Sequence, residues 1–269
     1  MSRLHLHILG SGSKGNCALI EGPQGLIMVD GGLSRRETLK RMAELGLSAD
    51  DVYALVVTHE HSDHIKGLEV WCKHWNGPVF SSRGTLTSKE SLAHLPVEEF
   101  DPGDALSIAG VHIQTYSTSH DVVNPVGYRF DAQGDSIGFA TDTGELSKHA
   151  IDTLKDCRIL ALESNHDVTM LRQGDYPRFL QERILSVKGH LSNDQAADAA
   201  RALATDRTEQ LIAMHISQDN NRPSLTVKSY ASSLDATLDN ELGSTATRVE
   251  GLHKLTIRPA GQYRPMTIQ

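Results

Sequence analysis

Residues 58–64 read THEHSDH, an H-x-H-x-D-H cluster that directly follows VYALVV at 52–57, a continuous apolar and β-branched run of the kind that a strand buried on both faces carries. Alternate residues of an extended segment point the same way, so His59 and His61 offer two imidazoles to one metal ion. Asp63 and His64 open the next segment, expected to be a helix capped by Ser62, and address a second point nearby. A polar loop on a solvated face is the plain alternative. It does not account for three histidines and a carboxylate within six residues at the end of a buried strand.

The same pattern recurs along the chain. The runs at 111–116, 136–141, 158–162 and 209–214 are apolar, and they deliver His120, Asp142, Glu163 with His166, and His215 at their carboxyl ends. Open α/β sheets place their chemistry there, and packing alone does not explain five such arrivals. Residues 26–29 likewise lead into Asp30, read either as a carboxylate that orients the 59–64 loop or as a plain turn aspartate.

Between these points the elements are ordinary. Residues 3–9 alternate in strand fashion with His5 and His7 on one face; because no Asp or third His follows, they are read as a solvated strand. Residues 10–16 (GSGSKGN) form a tight glycine loop whose amides, with Ser13 and Asn16, suit a phosphate. Ser34 and Glu37 mark a capping box for a helix ending at Gly46, and 65–75 is expected to be one helix burying Leu68, Trp71 and Trp75. A polar stretch at 167–188 holds a helix near 178–185 and is placed over the site. KGHLSN at 188–193 caps an alanine-rich helix, and the tail carries a helix near 224–238 with strands near 248 and 255–258.

Length, charge and cysteines narrow the class. The 269 residues suffice for one α/β domain spanning 1–269, without linker or repeat. There is no charged-then-apolar leader and no 18-residue apolar run, so a cytoplasmic protein without membrane attachment is expected. Cys17, Cys72 and Cys157 are odd in number and form no C-x-x-C pair, which suits a reducing compartment and excludes a thiolate metal site. A net charge of −8 argues against a broad duplex-binding surface, though not against gripping one strand end at a metal centre.

With Asp30 before it and the later strand-end ligands after it, the H-x-H-x-D-H cluster resembles the metallo-β-lactamase superfamily of binuclear metallohydrolases, from about residue 9 to 223. The resemblance implies a four-layer αβ/βα sandwich of two mixed β-sheets flanked by helices. It assigns His59, His61 and His120 to one divalent ion, Asp63, His64 and His215 to another, and Asp142 to both. Such an imidazole and carboxylate set suits Zn²⁺ first and admits Mn²⁺ or Fe²⁺. Paired ions make a bridging hydroxide available as nucleophile at neutral pH, with Asp63 as acceptor for its remaining proton.

Glu163 and the Gly-His-Leu-Ser around His190 are similar to the proton-shuttling pair of the phosphodiesterase branch, where an alkoxide must be protonated as it leaves. A helix-cap role for His190 is the alternative. Together with residues 10–16, 163–167 and 215–221, these motifs resemble the YycJ/WalJ branch of 5′→3′ exodeoxyribonucleases. The implied partner is a DNA end or single strand, with Ser13, Asn16, Asn165, His166, Asn193 and Asn221 set along its phosphates. A small-molecule phosphodiesterase, or a lactonase- or β-lactamase-like hydrolase of the same fold, is the runner-up, and a non-hydrolytic metal-binding module is a third reading.

Overall fold

In the computed structural model, which describes residues 3–269, the chain divides into two units. The first holds the chain up to Ser117, Val122–Asp135 and Gly261–Gln269; the second holds Thr118–Asp121 and Ser136–Ala260. The reading of one domain over 1–269 carried no such division.

In the first unit the chain runs β1 (His5–Gly10), β2 (Cys17–Gly22), β3 (Gly25–Val29), α1 (Arg35–Glu44), β4 (Val52–Val57), α2 (Ser62–Ile65), α3 (Leu68–Cys72), β5 (Val79–Ser82), β6 (Val97–Phe100), β7 (Ala105–Ile108), β8 (Val111–Ser117) and β9 (Val126–Ala132). The second continues with β10 (Asp135–Ala140), α4 (Lys148–Leu154), β11 (Ile159–Glu163), α5 (Val168–Gln173), α6 (Arg178–Ile184), α7 (Asn193–Leu203), β12 (Gln210–Met214), α8 (Pro223–Ser233), β13 (Thr237–Leu238), β14 (Ala246–Glu250) and β15 (His253–Pro259). The last strand, β16 (Met266–Ile268), returns to the first unit.

The first unit's sheet is mixed, in the order β16-β1-β2-β3-β4-β5-β6, antiparallel from β16 to β3 and parallel from β3 to β6. The same unit also contains the antiparallel meander β7-β8-β9. Within the second unit the sheet is mixed as well, running β13-β14-β15-β12-β11-β10, with β10, β11, β12 and β15 parallel. Each unit thus carries a mixed sheet with helices, the α/β class expected.

Parallel strands covered on both faces need apolar residues at every position, and β4 and β11 have them: Ala54 to Val57 and Ile159 to Leu162 are wholly buried. On one side of the first sheet Leu9, Leu19, Met28, Leu55 and Val57 join Met42 of α1 and Leu68 and Trp71 of α3 in one core. A five-residue helix is unstable alone in water, so α3 depends on this contact, where each buried large side chain contributes about 2 kcal/mol.

The expected helix over 65–75 is two short helices with a break at Gly67. The reason is a backbone approach: the Gly67 N–H donates to the Gly31 carbonyl at 2.8 Å, and a Cβ here would lie 1.8 Å from the Leu33 oxygen. The cap of α2 is His61 rather than Ser62, and it makes no side-chain cap bond. Ser34 does cap α1, accepting from the Glu37 N–H, but the Glu37 carboxylate bonds Arg41 at 2.8 Å instead of closing the box. A full capping box stands at α7, between Ser192 and Gln195. Helix α8 stops at Ser233, five residues short of the expected end, because Asp235 takes a left-handed φ of 53° before β13.

His5 and His7 are not a solvated pair. Strand β16 pairs with β1 and puts Thr267 opposite His7, which is only 3% exposed, while β2 puts Glu21 opposite His5. The carboxylate missing from the same strand comes from its neighbour.

Candidate metal centre

Strand β4 ends at Val57, the chain bends at Thr58, and it is extended again at His61, whose φ and ψ are −65° and 149°. His59 Nε2 and His61 Nδ1 lie 3.1 Å apart, with the two rings nearly perpendicular at 82°. In a tetrahedral zinc site with bonds near 2.05 Å the donors stand about 3.3 Å apart, so this pair already has the spacing of two ligands to one ion. The Thr58 hydroxyl lies 3.0 Å from His59 Nδ1, so Nε2 is the nitrogen that could hold a metal ion.

Asp30 organises this loop from β3. Its Oδ1 accepts from the Thr58 N–H at 2.8 Å, and its Oδ2 accepts from the Thr58 hydroxyl at 2.8 Å and from His64 Nδ1 at 2.7 Å. With Nδ1 so bonded, His64 presents Nε2, which stands 3.5 Å from Asp63 Oδ2. Asp30 is 1% exposed and its φ is +61°, a strained left-handed conformation at the end of a buried strand. Both the strain and the buried charge are tolerated because every carboxylate oxygen is bonded. Asp30→Asn is expected to lower metal affinity about 10- to 100-fold, since the His64 ring loses its fixing acceptor. Titration of the metal-free protein with Zn²⁺ checks it, and unchanged affinity would show that Asp30 merely shapes the turn.

Asn16, expected along the phosphate path, is instead built into this loop. Its Nδ2 donates to Asp63 Oδ2 at 3.0 Å and lies 2.9 Å from His64 Nε2, while its Oδ1 accepts from the Gly12 N–H at 2.7 Å. Its own N–H donates to the Asp63 carbonyl and its carbonyl accepts from Gly32. Ser13 is exposed on the same glycine loop.

The second unit assembles its own cluster. His120 Nδ1 faces the carbonyls of Lys188 and Gly189 at 3.2 and 3.1 Å; since carbonyls only accept, Nδ1 carries the proton and Nε2 is the basic nitrogen. Asp142, following β10, and His215, following β12, both hold left-handed backbone at φ of 53° and 51°. The Thr141 hydroxyl donates to Asp142 Oδ2 at 2.6 Å, and Asp142 Oδ1 lies 3.3 Å from His215 Nδ1.

Glu163, wholly buried at the end of β11, is the hub of this half. Its Oε1 bonds His190 Nδ1 at 2.7 Å and His215 Nδ1 at 3.1 Å, and its Oε2 accepts from the Thr143 N–H at 2.9 Å. By distance Asp142, Glu163, His190 and His215 are all near enough to share an ion. The oxygens of Glu163 are committed to protein donors, however, so it orients the histidines, and His215 turns Nε2 rather than Nδ1 away from it.

Burial is the largest influence on both members of the Glu163 and His190 pair, and it opposes charge on each. The attraction between them outweighs it: Glu163 falls to about 2, and His190 rises above the ordinary histidine value, helped by Asp142. A buried carboxylate thus favours the protonated form of an imidazole whose side chain is still 19% exposed.

Four residues expected along the substrate face inward instead. Asn221 Nδ2 donates to the carbonyls of Ser164 and Asn165, Asn193 and Asn221 bond each other, and Asn165 Nδ2 donates to the His215 carbonyl at 2.9 Å. This buried network ties the chain after β11 to the chain after β12, which sets His215. His166 is wholly buried, and burial lowers it to about 4, so it is neutral and out of reach of a phosphate. Thr58 is the residue the sequence reading missed; its only signal was its place before His59, because its partner Asp30 lies 28 residues away. The 167–188 stretch backs the site as well: Arg183 pairs with Asp121, and Ser119 donates to the Val187 carbonyl. It also contains the unforeseen α5, capped by Asp167.

Residues 26–216 match the model of the beta-lactamase superfamily domain. The chain is 36% identical over 236 residues to exodeoxyribonuclease YycJ of Bacillus anthracis, covering 86% of this chain and 89% of that one. It is 34% identical over 220 residues to exodeoxyribonuclease WalJ of Streptococcus pneumoniae, covering 80% and 82%. Among solved structures, Zn²⁺-bound PqqB from Methylobacterium extorquens superposes with a TM-score of 0.69 at 13% identity, over 98% of this chain and 99% of that one. At that identity the likeness speaks for the fold: α/β, with two mixed sheets flanked by helices.

Proposed function

Because the chain belongs to the metallo-β-lactamase superfamily of metal-dependent hydrolases, in the branch of its YycJ and WalJ relatives, we propose that it is a phosphodiesterase acting on DNA, a 5′→3′ exonuclease of single-stranded ends. The ligand set is the one the family resemblance implies: His59, His61 and His120 for one ion, Asp63, His64 and His215 for the other, and Asp142 for both. Each unit supports this separately, since each gathers its share of imidazole and carboxylate donors with outer partners that fix the ring tautomers. Two divalent ions, Zn²⁺ before Mn²⁺ or Fe²⁺, would activate water and neutralise phosphate charge. Asp63, whose carboxylate Asn16 holds in place, would be the acceptor for the water's proton.

The observation that carries the phosphodiester reading is the bond between Glu163 and His190. A sugar alkoxide is a poor leaving group and needs an acid, and His190 is an imidazole whose protonated form the buried Glu163 carboxylate favours. Acyl or lactone hydrolysis has less use for such a pair. Among the described residues no helix is long and apolar enough to cross a membrane, and the three cysteines are free, in keeping with a cytoplasmic enzyme.

The net charge of −8 favours a second reading, a small-molecule phosphodiesterase, because an acidic surface repels a polyanion. Single strands labelled at the 3′ end, with the 5′ end phosphorylated or blocked, separate the two. The expected result is a ladder shortening from an open 5′ end and none from a blocked one. Rapid hydrolysis of bis(p-nitrophenyl) phosphate with DNA of either kind left intact would give the second reading.

A further inference from the structure

The proposed catalytic residues leave out a third cluster of ligating side chains, in the first unit. His5 Nδ1 and His7 Nε2 converge on Glu21 Oε2 at 2.9 and 3.1 Å, with the imidazole rings at 83° to each other. The sheet register accounts for this convergence. His5 stands opposite Glu21 across β1 and β2, His7 is two residues on along the same face, and Thr267 stands opposite His7 across β1 and β16.

We propose that His5, His7 and Glu21 bind one further divalent transition-metal ion of the zinc class, which staples the amino-terminal strand to its neighbour. Two imidazoles and one carboxylate are an open zinc set, three protein ligands with a fourth position for water. Calcium and magnesium, which require oxygen donors, are excluded by the two nitrogens. Two of the three donor separations, 2.9 and 3.1 Å, are near the 3.3 Å or so expected between ligands of one tetrahedral ion, and all three donors lie within 4.8 Å of one another.

An outer partner is also in place. His7 Nδ1 lies 2.9 Å from the Thr267 hydroxyl; with the proton on Nδ1, that bond turns the lone pair of Nε2 toward Glu21. Burial lowers the pKa of His7 against the opposing pull of Glu21, so the ring is neutral and ligating at pH 7. Access comes from the other two side chains, since His5 is 29% and Glu21 44% exposed.

A simpler arrangement, in which both rings donate hydrogen bonds to the carboxylate, satisfies the same distances without an ion. Metal content distinguishes the two. Holoprotein is dialysed against about 10 μM free Zn²⁺, because a half-exposed three-ligand site binds more weakly than a closed four-ligand one. The expected result is one more zinc per chain in the wild type than in His5→Ala or in the near-isosteric Glu21→Gln. Added Zn²⁺ should raise the melting temperature of the wild type and not of the variants, since only an ion bound to the folded form stabilises it. Equal zinc content in all three proteins, or an equal melting shift, would overturn the site in favour of the hydrogen-bonded cluster. Both substituted positions are partly exposed, and Glu21→Gln keeps the shape of the side chain, so the comparison does not rest on a variant that may fail to fold; DNA digestion should be unchanged in each.

Discussion

His61→Ala and Asp142→Asn are expected to lose hydrolysis by roughly 10³-fold or more while the protein stays folded. Charge stabilisation by a bound ion contributes several kcal/mol to the transition state, and each 1.4 kcal/mol or so is a factor of ten in rate. Asparagine is the better replacement at position 142, because the backbone there is left-handed at φ 53°, where alanine would add strain of about 1 kcal/mol. Folding should survive because both residues lie beyond the ends of strands, and the strand cores Ala54 to Val57 and Ile159 to Leu162 are wholly buried without them. Elemental analysis, circular dichroism and turnover on one preparation read all three quantities. Full metal content with wild-type turnover in either variant would remove that residue from the ligand set.

The second large effect belongs to His190 and depends on the substrate. General acid catalysis contributes roughly 10²- to 10⁴-fold when the leaving group is poor and little when it departs unaided. His190→Ala should therefore keep most of its rate on bis(p-nitrophenyl) phosphate, whose nitrophenolate leaves without help, and lose most of it on DNA. Glu163→Gln should show the same asymmetry more mildly. Equal losses on both substrates in a variant that still holds its metals would make His190 a support for the site and would count against the phosphodiester reading.

The pH profile adds an independent readout. The pKa of His190 is raised in the folded protein, so the acid form persists above the ordinary histidine range and DNA hydrolysis falls as pH climbs through the raised value. Glu163→Gln removes the charge that holds it up. The alkaline limb on DNA should move to lower pH in that variant, while the limb on the nitrophenyl ester stays in place.

Much of this molecule was legible in the chain because the signals are local. Two imidazoles that meet at 3.1 Å need histidines at alternate positions, and a strand buried on both faces needs an unbroken apolar run; residues 52–64 show both in thirteen letters. The α/β class and the strands bearing His120, Asp142, Glu163 and His215 follow in the same way. Where the reading failed, the cause was a contact from far along the chain. Helix 65–75 breaks because the backbone at Gly67 meets Gly31 and Leu33. Asn193 and Asn221 look like polar loop residues, yet they bond each other 28 positions apart and turn inward.

His5 and His7 state the division most plainly. Their alternation marks a strand facing two ways, and it was right about which residues share a face. It could not say that β2 would bring Glu21 opposite one of them and β16 would bring Thr267 opposite the other from 260 residues away. The period of a strand is a property of its own backbone and is written in the sequence. Which strand lies beside it is settled by the burial of whole faces and the pairing of every backbone group at once, and that sum exists only in the folded chain.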